Sequence, residues 1–243
     1  MSDRIVFDHI AVATDRLASA SPVLTGILGG ELEFEMDSGS FRFGHWRFQG
    51  RGRIEVLEPA GPDGFLHRFL AKHGPGIHHV TFKVRDLRTA CDRAEARGYT
   101  IVGYNDSNPY WQEAFLHPKE ALGLVVQMAH AAPGFEPPQR RRPPGEENPP
   151  PAVTILGLRT RARSTERARS QWELVLQAER VEQSQSELTY RWPGSPMSVV
   201  VEIDPSKEEG PICIEFESDR PIALPSEQHA LLGSVLVQRH CSG

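Results

Sequence analysis

An α+β fold assembled from a repeated βαβββ unit is what this 243-residue sequence predicts. Three observations carry it. Apolar runs of period 2 and short amphipathic stretches of period 3.6 follow one another in the same order twice within residues 1–130. The theme returns, with losses, over 152–243. A proline-rich segment lies between.

The elements justify themselves in order. RIVFDHIAV (4–12) reads as a strand, and Asp15 to about Leu28 as a helix closed by Gly29-Gly30, with Pro22 expected to kink it or delay its start. Strands follow at 31–36, 40–49 and 53–58, the last being RIEVLE with clean alternation. After the Pro62-Asp63-Gly64 turn comes a short helix, Phe65 to about Lys72. The second unit runs through strand 77–84, helix 86–97 stopped by Gly98, and strands near 99–104, 111–116 and 122–129. In the second half, 153–162 reads as a first strand, Ser164 to about Gln177 as its helix, and 187–192, 198–203, 210–218 and 231–238 as strands. Only 219–230 separate the last two, so the helix of this module reads as deleted.

Composition sets the limits. Hydrophobic residues are 39% of the chain, an ordinary load that supports a buried core. Prolines number 20, and eight of them fall in 131–151 (AAPGFEPPQRRRPPGEENPPP). That stretch has no apolar period and reads as a semi-rigid linker, its three arginines balanced by three glutamates. The expected organisation is therefore a domain over 1–130, a linker over 131–151 and a smaller, degenerate domain over 152–243. Net charge is −5, which gives no field for nucleic acid or an anionic membrane. No segment has the length of a membrane span or the pattern of a leader, and three scattered cysteines make no disulfide framework. A cytoplasmic protein with a small-molecule partner fits, and a homodimer stays open.

The repeat extends to residues. His9 and His79 occupy the same place on the first strand of each unit, and Glu55 and Gln127 the same place on the last. His9 and Glu55 are 46 positions apart, His79 and Gln127 48. Four metal-capable side chains at two repeated positions are far more specific than four such residues anywhere. His78 points to the opposite face from His79 by strand alternation, and only His79 shares the register of His9.

These residues carry a resemblance. FDHIAVAT, the stretch from IEVLEPAGPDGFLHRFLAKHG to IHHVTFKV, and FLHPKEALGLVVQ are similar to the vicinal oxygen chelate superfamily of glyoxalase I, extradiol dioxygenases and the bleomycin-resistance proteins, and most of all to its methylmalonyl-CoA epimerase-like branch. The resemblance implies paired βαβββ modules in a curved mixed sheet, with a divalent ion on the concave face held by His9, Glu55, His79 and Gln127. It also marks a departure. Gln127 stands where the epimerase and glyoxalase I usually have glutamate, and a neutral amide cannot serve as a base. The inner strand of the first module, Ser40 to Phe48, has no acid either. Epimerase activity is accordingly not carried over, and Glu55, or a metal-bound hydroxide, is left to move a proton.

The expectation is a metal-dependent lyase or isomerase acting on a small oxygen-rich metabolite. The ligand set suits Zn, Mn, Co, Ni or Fe without choosing among them. Phe43, Trp46, Arg47, Trp111 and His117 are the expected substrate-binding residues. Two alternatives stand beside this reading: a non-catalytic binding or resistance protein that uses the same sheet, and a non-haem Fe(II) extradiol-type dioxygenase. In the second half, Leu158 is read in the place of His9, Glu202 of Glu55, Cys213 of His79 and Gln238 of Gln127. With both histidines lost, no firm metal site is expected there.

Overall fold

The computed structural model describes residues 4–133, 148–224 and 235–239. Most of the expected linker, and Cys241, lie outside the described residues. The first strand, β1, is Val6–Ala13. A 3-10 turn at Leu17–Ser19 and a short helix α1 at Ser21–Leu24 follow, in place of the continuous helix expected from Asp15. Pro22 is the reason: its ring is tolerated only in a first helical turn, so the helix begins there. Then come β2 (Glu31–Asp37), β3 (Phe41–Arg47) and β4 (Arg53–Pro59), followed by α2 (Phe65–His73). The second unit is β5 (Gly76–Lys83), α3 (Leu87–Glu95), β6 (Ile101–Asn105), β7 (Trp111–Leu116) and β8 (Val125–Ala131). These eight strands form one sheet in the order β2-β3-β4-β1-β5-β8-β7-β6. The β1–β4 and β5–β8 pairs are parallel, and the hairpins outside them antiparallel.

The second half repeats this order. β9 (Thr154–Ala162) leads into α4 (Thr165–Arg169), a π-helical turn at Ser170–Val175, and β10 (Glu179–Gln183), β11 (Glu187–Arg191), β12 (Ser198–Ile203), β13 (Gly210–Glu217) and β14 (Leu236–Arg239). The sheet order is β10-β11-β12-β9-β13-β14. Position for position this is the first sheet without counterparts of β7 and β6, among the described residues. β10 is a strand the sequence reading missed: ERVEQ holds one apolar residue, and all five positions are exposed at a sheet edge. Of residues 219–230, where the helix was expected to be deleted, 225–230 lie outside the described residues.

By compactness the chain forms two units that are not the two halves of the sequence. One consists of Met1–Asp8, His79–Phe135 and Gly157–Ile212; the other of His9–His78, Glu136–Leu156 and Cys213–Gly243. In the first, Phe7 stacks on Phe82 at 4.9 Å, and Trp192 packs against Phe82 at 4.7 Å and Trp172 at 6.1 Å. All four rings are fully buried or nearly so, and each removes about 150–250 Å² from water. The indole N–H of Trp192 donates to the Leu176 carbonyl at 2.6 Å, so the aromatic core leaves that donor satisfied. In the second unit, Ala11, Ala13, Leu57 and Leu66 are buried together, with Phe41, Phe43, Phe69 and Leu70 half-buried around them. α2 thus seats its apolar side on strands β1 and β4.

Candidate metal centre

Strand pairing brings the repeated side chains into play. In the parallel β1–β4 pair Ala11 stands opposite Glu55, and in the antiparallel β3–β4 pair His45 stands opposite Glu55. On the other side of the sheet Thr81 of β5 is opposite Gln127 of β8. His9, Glu55, His79 and Gln127 are only 2, 7, 6 and 7% exposed, so four polar side chains have left bulk water and need compensation.

For three of them that compensation can be an ion. The ligand-capable atoms of His9, Glu55 and His79 all lie within 4.8 Å of one another. His9 Nε2 is 3.7 Å from Glu55 Oε2, longer than a good hydrogen bond. Donors about 2.1 Å from a shared ion stand about 3.0–4.2 Å apart, so this separation suits two ligands of one cation. Two imidazoles and a carboxylate are also the donor chemistry of a borderline divalent metal. The residues present fit the group.

Burial alone would raise the pKa of Glu55. The hydrogen bond with His45, reinforced by His9, outweighs burial and holds the carboxyl well below its ordinary value. His45 is a residue the sequence reading missed. Its Nε2 lies 3.0 Å from Glu55 Oε1, its ring stacks on Phe34 at 4.6 Å and meets His9 edge-on at 4.7 Å. The signal was present: pairing FRFGHWR against RIEVLEP across the 48–52 turn puts His45 opposite Glu55.

Gln127 is fixed at both ends of its amide. Thr81 Oγ1 donates to Gln127 Oε1 at 2.6 Å, and Gln127 Nε2 donates to Glu113 Oε2 at 2.7 Å. The Trp111 indole N–H donates to the same Glu113 oxygen at 3.0 Å. Glu113 was also missed, although alternation along β7 places it on the face of Phe115, the partner of Gln127. The inner strand of the second module therefore supplies a carboxylate where that of the first supplies only His45.

The expected substrate-binding residues separate. Phe43 lies two positions from His45 on the same face of β3, its ring 5.8 Å from the imidazole. Trp46 faces the other way: it is fully buried and donates its indole N–H to Thr25 Oγ1 at 3.0 Å, so it belongs to the core under α1. Arg47 pairs with Glu31 at 2.8 Å and Glu33 at 3.3 Å, at the rim of a cavity of about 530 Å³ that also includes Gly29, Gln49 and Pro151. Trp111 orients Glu113. His117 is half-buried and spends Nδ1 on the Lys119 backbone N–H at 3.3 Å, as turn residues do. His78 lodges against Phe65 and Phe69 of α2, and burial lowers its pKa to about 4 against the pull of Glu55.

The second sheet holds a different cluster, and its pairings correct the register read from sequence. Glu202 stands opposite Arg161 as Glu55 stands opposite Ala11, which puts Arg159, not Leu158, in the place of His9. Glu187 stands opposite Glu202, in the place of His45. Arg159 Nη1 donates to Glu187 Oε2 at 2.5 Å and to Glu202 Oε1 at 3.3 Å. With Gln238 opposite Phe216, Ile214 rather than Cys213 corresponds to His79. The match made from sequence alone was thus one residue off on both strands. A guanidinium cannot ligate a cation and repels one.

Comparison with known proteins agrees with this architecture. Residues 8–115 match the family described as Glyoxalase/Bleomycin resistance protein/Dioxygenase superfamily. An ethylmalonyl-CoA/methylmalonyl-CoA epimerase of Cereibacter sphaeroides is 29% identical over 131 residues, 50% of this chain and 94% of that protein. The mitochondrial methylmalonyl-CoA epimerase of Mus musculus is 27% identical over 143 residues, 51% of this chain and 72% of that protein. Among solved structures, a 4-hydroxymandelate synthase variant from Streptomyces coelicolor shares the fold over 90% of this chain and 72% of its own, with TM-score 0.61 at 14% identity. A hypothetical protein from Bacillus halodurans matches 55% of this chain and 99% of its own at 25% identity and TM-score 0.50. No helix among the described residues is long and apolar enough to cross a membrane. The first half of the chain thus contains a domain of the glyoxalase, bleomycin resistance protein and dioxygenase superfamily.

Proposed function

We propose that the protein is a metal-dependent enzyme of the lyase or isomerase type, acting on a small metabolite through adjacent oxygens. The convergence of His9, Glu55 and His79 carries this reading. A divalent ion held there, with Gln127 as a fourth ligand, would supply Lewis-acid polarisation of a substrate carbonyl. The chain's own groups do the rest. His45 holds the Glu55 carboxylate in place, Thr81 and Glu113 fix the Gln127 amide, and Glu113 is the carboxylate beside these donors that would take a proton. The names of the epimerase relatives suit proton transfer beside a carbonyl, and Glu113 supports it. The inner strand of the first module, β3, carries no carboxylate, so we do not assign epimerisation.

The test is elemental analysis of the protein purified without chelator. About one equivalent of a divalent ion is expected, and its loss in His79→Ala. Unchanged metal content in that variant would refute the assignment. A second reading, a non-haem Fe(II) oxygenase, is favoured by one observation: the triad is two histidines and one carboxylate, while Gln127 Oε1 already accepts from Thr81. Oxygen consumption that requires Fe(II) and is not restored by Zn or Mn would select it.

A further inference from the structure

A continuous wall of aromatic rings starts at His45, beside Glu55, and runs to α2. Phe34 stacks on His45 at 4.6 Å and meets Phe43 at 6.0 Å; Phe43 meets Phe41 at 5.6 Å, and Phe41 meets Phe65 at 5.6 Å. Phe65 and Phe69 then enclose His78 at 5.5 and 4.9 Å. Alternation places Phe41, Phe43 and His45 on one face of β3, so the wall and the Glu55 carboxylate share that face. Phe34, Phe41, Phe43 and Phe69 are only half-buried, and Phe65 is 41% exposed. Core rings would be closed off, as Phe7, Phe82 and Trp192 are. A row of half-open rings beside buried polar donors is the composition of a ligand site: an apolar lining with a few convergent polar groups.

Resting on the metal reading above, we infer that this wall selects the substrate class: a molecule that offers two adjacent oxygens to the ion and carries an aromatic ring, or a flat apolar group of that size, against Phe43 and Phe41. Ring-on-ring contact adds to the area buried, and the rings are already held by their neighbours, so little side-chain freedom is lost on binding. A wholly polar chelator would gain nothing from the wall.

The test uses two bidentate probes with the same chelating group, acetohydroxamate and benzohydroxamate, titrated into cobalt-loaded protein and followed by the visible absorption of the ion. Benzohydroxamate is expected to bind at least tenfold more tightly. Phe43→Ala and Phe41→Ala should each reduce that preference to threefold or less, with cobalt content and acetohydroxamate affinity unchanged. Phe43→Leu, which keeps apolar volume and removes the ring face, should lose at least threefold of it and serves if the alanine variants fail to fold. Equal affinity of the two probes for the wild type, or a preference that survives these substitutions, overturns the inference and leaves the metal reading standing. Failure of the wild type to take up cobalt overturns the metal reading, and the inference with it.

Discussion

Glu55 is a buried carboxylate whose two oxygens face different imidazoles: Oε1 meets His45 at 3.0 Å, and Oε2 meets His9 at 3.7 Å. If the His9 side belongs to the ion, the His45 side sets the orientation of the ligand. Partners of this kind are worth about 10–100-fold in metal affinity. His45→Ala should weaken cobalt or zinc binding by that factor in a competition titration with a chromophoric chelator, and His45→Gln, which keeps a donor, should recover part of the loss. Unchanged affinity in both variants would reduce His45 to a packing residue. Cys91 makes a contrasting case. It is fully buried on α3, and burial raises its thiol to about 11. Iodoacetamide at pH 8 should leave it unmodified in the folded protein and label it in urea, as mass spectrometry would read. The sign of its linkage follows. Above an ordinary pKa near 9 the unfolded chain gives up the proton first, so this thiol's contribution to stability falls as pH climbs toward 11.

At the scale of elements, α3 depends on its cap. Asp86 is extended, and its carboxylate accepts from the Thr89 backbone N–H at 2.7 Å. That bond, with a further one from the Thr89 side chain, lowers the Asp86 pKa. Asp86→Ala should cost about 1 kcal/mol in urea denaturation at pH 6. The cap's contribution is complete above the ordinary pKa of 3.8 and fades as pH falls through the lower folded value, so the gap between wild type and variant should narrow at pH 3. The elements legible in the sequence were those with one dry face: β4, β5 and β8 alternate or run apolar, and α2 and α3 are amphipathic. Those that escaped had a local reason. Pro22 cut a helix into two short pieces, and β10 is wet on both sides. The His9, Glu55 and His79 positions were legible because the repeat displays them twice. His45 and Glu113 were not, because each is defined by what lies across a hairpin, and a sequence read along one strand does not show its partner.

At the scale of the whole chain, the same strand order written twice explains the length, and the second copy has Arg159 and Glu187 where the first has His9 and His45. Compactness does not follow the sequence halves. Trp172 and Trp192 cover Phe82 and Phe7 within one unit, so a fragment of residues 1–133 would carry two large uncovered rings. We expect that fragment to self-associate or precipitate in light scattering, where a stable monomer would contradict the expectation. The Phe7 backbone N–H donates to Ser195 Oγ at 2.8 Å, across 188 residues of chain. At translation speeds of about 5–20 residues per second, Ser195 and Trp192 leave the ribosome roughly 10–40 s after Phe7. In that interval β4 and Phe82 already cover one side of the first strand, and the side that Trp192 later packs against stays open.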